Sequence, residues 1–145
     1  MDIGKINEPV DLAPGEWIDD IPALMGAKVK VRSTNYKPYQ IEIQGLARRF
    51  GKKLNTKEGV RAFNIATGKV LAEHILLDWD LTGAEDEAAL TADGQPLGFT
   101  REWAQTVLGS DDQHGVGQAF RNGIEWAGDQ VASKVRERAK EASGN

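Results

Sequence analysis

The stretch from Val70 to Leu108, VLAEHILLDWDLTGAEDEAALTADGQPLGFTREWAQTVL, constrains this chain more than any other. An apolar run of helical character ends in Leu76-Leu77-Asp78-Trp79-Asp80. A loop of acids, alanines and glycines follows and closes in Asp93-Gly94-Gln95-Pro96-Leu97. Thr100 then caps a short helix from Arg101 to Leu108, with Glu102 favourably placed for the helix dipole and Gly109 as its stop. The expectation is a helix–loop–helix carrying two tryptophans. None of its residues forms an arrangement that catalysis usually requires.

The rest of the chain supplies the helices around it. Pro38 suits a first helical turn, with Ser33, Thr34 and Asn35 as candidate caps. Tyr39, Ile43, Leu46, Phe50 and Leu54 then form one apolar stripe. Arg48, Arg49, Lys52 and Lys53 occupy the other side. They read either as a solvated face near a helix C-terminus or as a place to dock an acidic partner. A second helix is expected from about Lys57 to Trp79. Val60, Phe63, Thr67, Val70, His74 and Leu77 lie on one face, and Gly68 allows a neighbouring helix to come close. Ala84 to Leu90 holds a short helical turn. The last helix carries Val116, Phe120, Ile124, Ala127, Val131 and Val135 as its stripe, diluted by Gly115, Gly117, Gly123 and Gly128. Ser110, Asp111 and Asp112 precede it as caps.

One segment has a different period. Ala27-Lys28-Val29-Lys30-Val31-Arg32 alternates strictly, as a half-buried strand does. Trp17, Asp19 and Ile21 give a preceding strand, with Leu24-Met25-Gly26 in the connection. The fold expected is therefore mainly α: about four helices with a small N-terminal antiparallel hairpin. Residues 1–15 read as a flexible arm, 16–135 as a single domain, and 136–145 as a frayed charged tail. Two strands alone are marginal in water, so the hairpin must pack on helices or pair with another chain.

Charge and composition bound the function. With 145 residues the chain is long enough for one real core. Twenty-two acids against 18 bases give a net charge of −4, which disfavours a nucleic-acid binder. There is no cysteine, so thiol nucleophiles and thiolate metal sites are excluded. No apolar stretch approaches the roughly 18 residues of a membrane span. The start lacks a secretory pattern, so a cytosolic location is the default.

Candidate chemistry is sparse. His74, Asp78 and Asp80 could place an imidazole and a carboxylate one helical turn apart, but two ligands are too few for a metal. A histidine hydrogen-bonded near the core is the better account. His114 reads as a solvated turn residue. The acids from Asp78 to Glu87 have no partnering base and read as a solvated surface. The glycines of the last helix do not form a phosphate loop, and no serine lies in a nucleophile elbow. The expectation is a non-enzyme without cofactor or metal. Trp79, Trp103 and Trp126 are expected to fill the core, their indole N–H groups finding carbonyls. Trp103, flanked by Arg101 and Gln105, is the best candidate for an exposed partner anchor. Arg101, Trp103, Phe120, Ile124, Arg48 and Arg49 make up the candidate partner-binding set.

The order of these motifs resembles the tail assembly chaperones of long-tailed bacteriophages. The likeness is carried by the hairpin ending in Val29-Lys30-Val31-Arg32-Ser33, the helix start at Tyr36-Lys37-Pro38-Tyr39, the run Ala72 to Thr82 (AEHILLDWDLT) and the run Asp93 to Leu108 (DGQPLGFTREWAQTVL). It covers about residues 16 to 135. The acidic Gly83–Ala92 loop and the glycines of the last helix depart from the family pattern. The resemblance implies a protein that binds the tape measure protein in the infected host's cytoplasm and keeps it soluble. It also implies that tail tube protein is helped to polymerise around that partner, and that the chaperone is absent from the finished virion. A structural adaptor retained in the tail or connector is the alternative. A homo-oligomer is plausible from the hairpin edges and the last helix's stripe; no membrane or nucleic-acid partner is expected.

Overall fold

The structure, a computed structural model, describes residues 12–111 and 115–143. Residues 1–11 of the expected arm, Asp112, His114 and the last two residues of the expected tail lie outside them. The elements are β1 (Glu16–Ile18), β2 (Lys28–Val31), α1 (Lys37–Phe50), a 3-10 turn (Gly51–Asn55), α2 (Lys57–His74) and β3 (Leu76–Asp80). A second 3-10 turn (Asp86–Ala88), β4 (Thr91–Ala92), β5 (Gln95–Pro96), α3 (Arg101–Leu108) and α4 (Val116–Ser143) complete them.

The mainly α expectation is corrected. Among the described residues the fold is mixed, with four helices and five strands in two antiparallel sheets. The helix expected to reach Trp79 stops at His74, and Leu76–Asp80 becomes a strand beside β2. The sheet order is β1-β2-β3, so the N-terminal hairpin is only two-thirds of it. Two causes favour the strand. A two-stranded hairpin is marginal alone, and β2 had an unpaired edge to fill. The register also places Lys28 opposite Asp80, Val29 opposite Trp79 and Lys30 opposite Asp78. Charges of opposite sign and two apolar side chains therefore face each other across the pair, which is how sheets are stabilised.

The helix starts follow local chemistry. Pro38 lies in the first turn of α1. The Thr56 side chain accepts from Gly59 N at the start of α2, and Thr100 from Trp103 N at the start of α3. The expected first strand is shorter and earlier than read, because Asp20 turns the chain at a φ of 51°. Ile21 and Leu24 then fall in the connection, yet both are fully buried. Toward the C-terminus, α4 runs through the charged stretch as far as Ser143.

The core lies where the sheet, α2, α3 and α4 meet. Val29, Val31, Leu71, Ile75, Leu76, Leu108, Phe120 and Ile124 are all fully buried. Each such side chain contributes about 1.5–3 kcal/mol relative to exposure. Close helix packing depends on missing side chains. A Cβ at Gly68 would stand 1.9 Å from the Leu108 carbonyl oxygen, so α2 and α3 touch backbone to backbone there. A Cβ at Gly123 would stand 2.4 Å from Leu24 Cδ1. Gly123 of α4 thus makes room for the loop that joins β1 to β2.

Candidate partner-binding surface

The two tryptophans of the Val70–Leu108 stretch have opposite fates. Trp79, on β3, is 4% exposed and its indole donates to the Leu97 carbonyl at 2.9 Å. The Phe99 and Phe120 rings stand edge-on to it at 5.2 and 5.7 Å. Trp103, on α3, is 45% exposed. Its helix is nevertheless held firmly. Arg101 donates to the carbonyls of Ala72 and Glu73 at the end of α2, at 2.8 and 3.0 Å. Gln105 donates to the Lys69 carbonyl, and Gly68 lets the two backbones meet. Arg101 is thus a clamp between helices, satisfying carbonyls that a helix end leaves open.

The other candidate residues separate. Phe120 and Ile124 are fully buried and contribute packing, with no surface to offer in this fold. Arg48 and Arg49 are exposed in the last turn of α1. They open a basic block: residues 48–61 hold six bases and one acid. Beside it lies a cavity of about 500 Å³ whose lining includes Leu54, Lys57, Val60, Arg61, Ile65 and Asp111. Val60 is 41% exposed, and Arg61 forms an ion pair with Asp111, both of them lining the cavity. The sequence reading had no view of this cavity, because it is assembled from α2, the 3-10 turn before it and the segment leading into α4.

Arg121, which also lines the cavity, was missed as well. It is buried, and it donates to the carbonyls of Leu108 and Ser110 at 2.9 and 2.8 Å. It ties the end of α3 to α4. The available signal was an arginine next to Phe120 on an apolar stripe, flanked by Gly117 and Gly123.

Opposite in sign is the segment 70–100, which holds seven acids and no lysine or arginine. Glu85, Asp86 and Glu87 are exposed, as is every residue from Thr91 to Pro96. Asp93 and Gly94 both have positive φ, 52° and 76°, which suits the two-residue turn joining β4 to β5. Among the described residues the ion pairs are Arg61–Asp111, His74–Glu42 and Arg138–Glu16. None joins the basic block to the acidic segment.

Titratable groups add little chemistry. The His74–Asp78–Asp80 trio is not gathered, since α2 ends at His74. Asp78 accepts from the Trp79 backbone, and Asp80 from Thr82. Those Thr82 hydrogen bonds, side chain first, hold the Asp80 carboxyl below its ordinary value. His74 instead pairs with Glu42 of α1, and Glu73 brings a third ligand atom within 4.8 Å of both. Burial pushes the Tyr39 hydroxyl up to about 12, with the charges of Glu125 and Asp129 adding to it. Partial desolvation against the helix, then the charge of Asp129, raises the carboxyl of Glu125, which itself remains exposed. Among the described residues no helix is long and apolar enough to cross a membrane.

A family model described as YdaY prophage protein matches residues 34–145, from the end of β2 onward. No curated protein and no solved structure matches the chain.

Proposed function

The chain belongs to the YdaY prophage protein family and is phage-derived, and from that premise we propose that it acts as a tail assembly chaperone. In this reading it binds the long helical tape measure protein in the host cytoplasm and keeps it soluble. Tail tube protein then assembles around that partner, and the chaperone leaves before the virion is complete. The observation that carries the reading is Trp103: 45% exposed on a helix fixed by Thr100, Arg101 and Gln105. Large aromatics dominate interface energetics, and a rigid support lowers the entropy lost on binding. An apolar side chain left in water on so firm a base suits reversible binding to an amphipathic helix.

Co-expression with a tape measure protein from the same phage genome tests the reading. The wild-type chain should raise the soluble yield of that protein several-fold, and Trp103→Ala should lose most of the gain while remaining folded. An unchanged yield with wild type, or abundant copies of this chain in purified virions, would count against the proposal.

A further inference from the structure

We infer that this protein self-associates head to tail, the acidic segment 85–96 of one copy, which ends in the β4–β5 hairpin, seating in the basic groove of the next. The groove is the cavity of about 500 Å³ beside residues 48–61, within the roughly 300–1,000 Å³ of clefts that bury a compact ligand. Its wall is part apolar, through Leu54, Val60 and Ile65, and part basic, through Lys57 and through Arg61, which pairs with Asp111 on the same wall. Lys52 and Lys53 stand exposed on the turn that enters it. The groove therefore calls for a small acidic projection with some apolar surface.

The same chain carries that projection. Residues 91–96 form a two-stranded hairpin exposed throughout, with Asp93 in its turn and Pro96 on its second strand. Exposed Glu85, Asp86 and Glu87 lie shortly before it. Complementary fields of this kind raise association rates and fix register. Within one copy no described ion pair joins the two blocks; Arg61 is held by Asp111, whereas Lys52, Lys53 and Lys57 enter none of the described ion pairs and are exposed to a neighbour. The contact uses different surfaces on the two partners. Each addition leaves one groove and one hairpin open, and such heterologous contacts grow into rings or open chains. The inference does not depend on the chaperone reading.

Sedimentation velocity on the full chain tests it, at ionic strengths of about 0.01 M and 1 M, where the screening length falls from about 30 Å to about 3 Å. Wild type should show concentration-dependent oligomers in the first condition, and the apparent Kd should rise at least about tenfold in the second. Two charge reversals at exposed positions complete the experiment, with circular dichroism confirming that each is folded. Lys53→Glu/Lys57→Glu should be monomeric alone, and so should Glu85→Lys/Glu87→Lys. An equimolar mixture should associate again, because each reversed face then meets its complement on the other variant. Wild type that stays monomeric at low salt overturns the inference. So does association that survives either reversal, or a mixture that remains monomeric.

Discussion

Trp79 and Trp103 lie 24 positions apart in one stretch, and each directly follows an acid, yet one closes the core and the other stands half in water. The difference lies in what each backbone is attached to. Trp79 is on a strand whose partner, β2, aims it inward against Phe99 and Phe120, with a carbonyl waiting for its N–H. Trp103 is on an eight-residue helix whose inner face is already filled by Ala104, Val107 and Leu108. Its position in the turn leaves it outward. The same residue type thus serves stability in one place and remains available for binding in the other.

Four substitutions can break or sharpen that contrast. Trp79→Ala should have the largest effect, a loss of about 3–5 kcal/mol, because a cavity opens where three elements meet. Urea unfolding would show it as a lower midpoint with an unchanged slope. Next is Gly68→Ala. Its methyl group would meet the Leu108 carbonyl, so α3 must shift, at a cost of about 1–3 kcal/mol. If the Trp103 surface depends on α3 being seated, this variant should also weaken partner binding without touching the tryptophan, which a pull-down would show.

A smaller effect is expected from Glu125→Gln. The folded state raises this carboxyl above its ordinary 4.5, so the folded protein holds the proton more tightly than the unfolded chain. Stability from this group is therefore present at low pH and falls as pH rises through the carboxylate range. The variant should melt slightly higher than wild type at neutral pH, and the advantage should vanish below about pH 4. An equal offset at both pH values would show that the charge is not the cause. The smallest effect on stability belongs to Trp103→Ala, below about 1 kcal/mol, since nearly half of the side chain is already in solvent. A thermal shift as large as that of Trp79→Ala would mean that Trp103 is a packing residue and remove the observation behind the proposed function.

Much of the helical framework was legible. Thr100 and Gly109 bracket α3 as read, because capping is a contact between near neighbours. The value of Gly68 was legible too, since a glycine inside a long helix costs stability and needs a reason. The third strand was not. Residues 76–80 fit a helical stripe as well as a strand, and a five-residue segment is too short to be resolved by period alone. The missed signal was relational: Lys-Val-Lys at 28–30 and Asp-Trp-Asp at 78–80 are complementary alternations about 50 positions apart. Of the candidate site, Arg48 and Arg49 are exposed, as a solvated face would be, whereas Trp103, expected to fill the core with Trp79 and Trp126, is nearly half exposed. Arg101 proved to be a clamp, and Phe120 and Ile124 proved to be core. A stripe position says which way a side chain points relative to its helix, not whether another element covers it.

By itself, then, the sequence determined where α2 and α3 begin and where α3 ends, which faces are apolar, where charge of each sign is concentrated, and that thiol chemistry is absent. Those properties depend on residues within a few positions of one another. Only the tertiary structure decided that 76–80 joins a sheet, that Arg121 is buried among carbonyls, and that a groove forms beside the basic block. Each of those depends on distant segments meeting, and the free energy that selects the meeting belongs to the pair rather than to either segment.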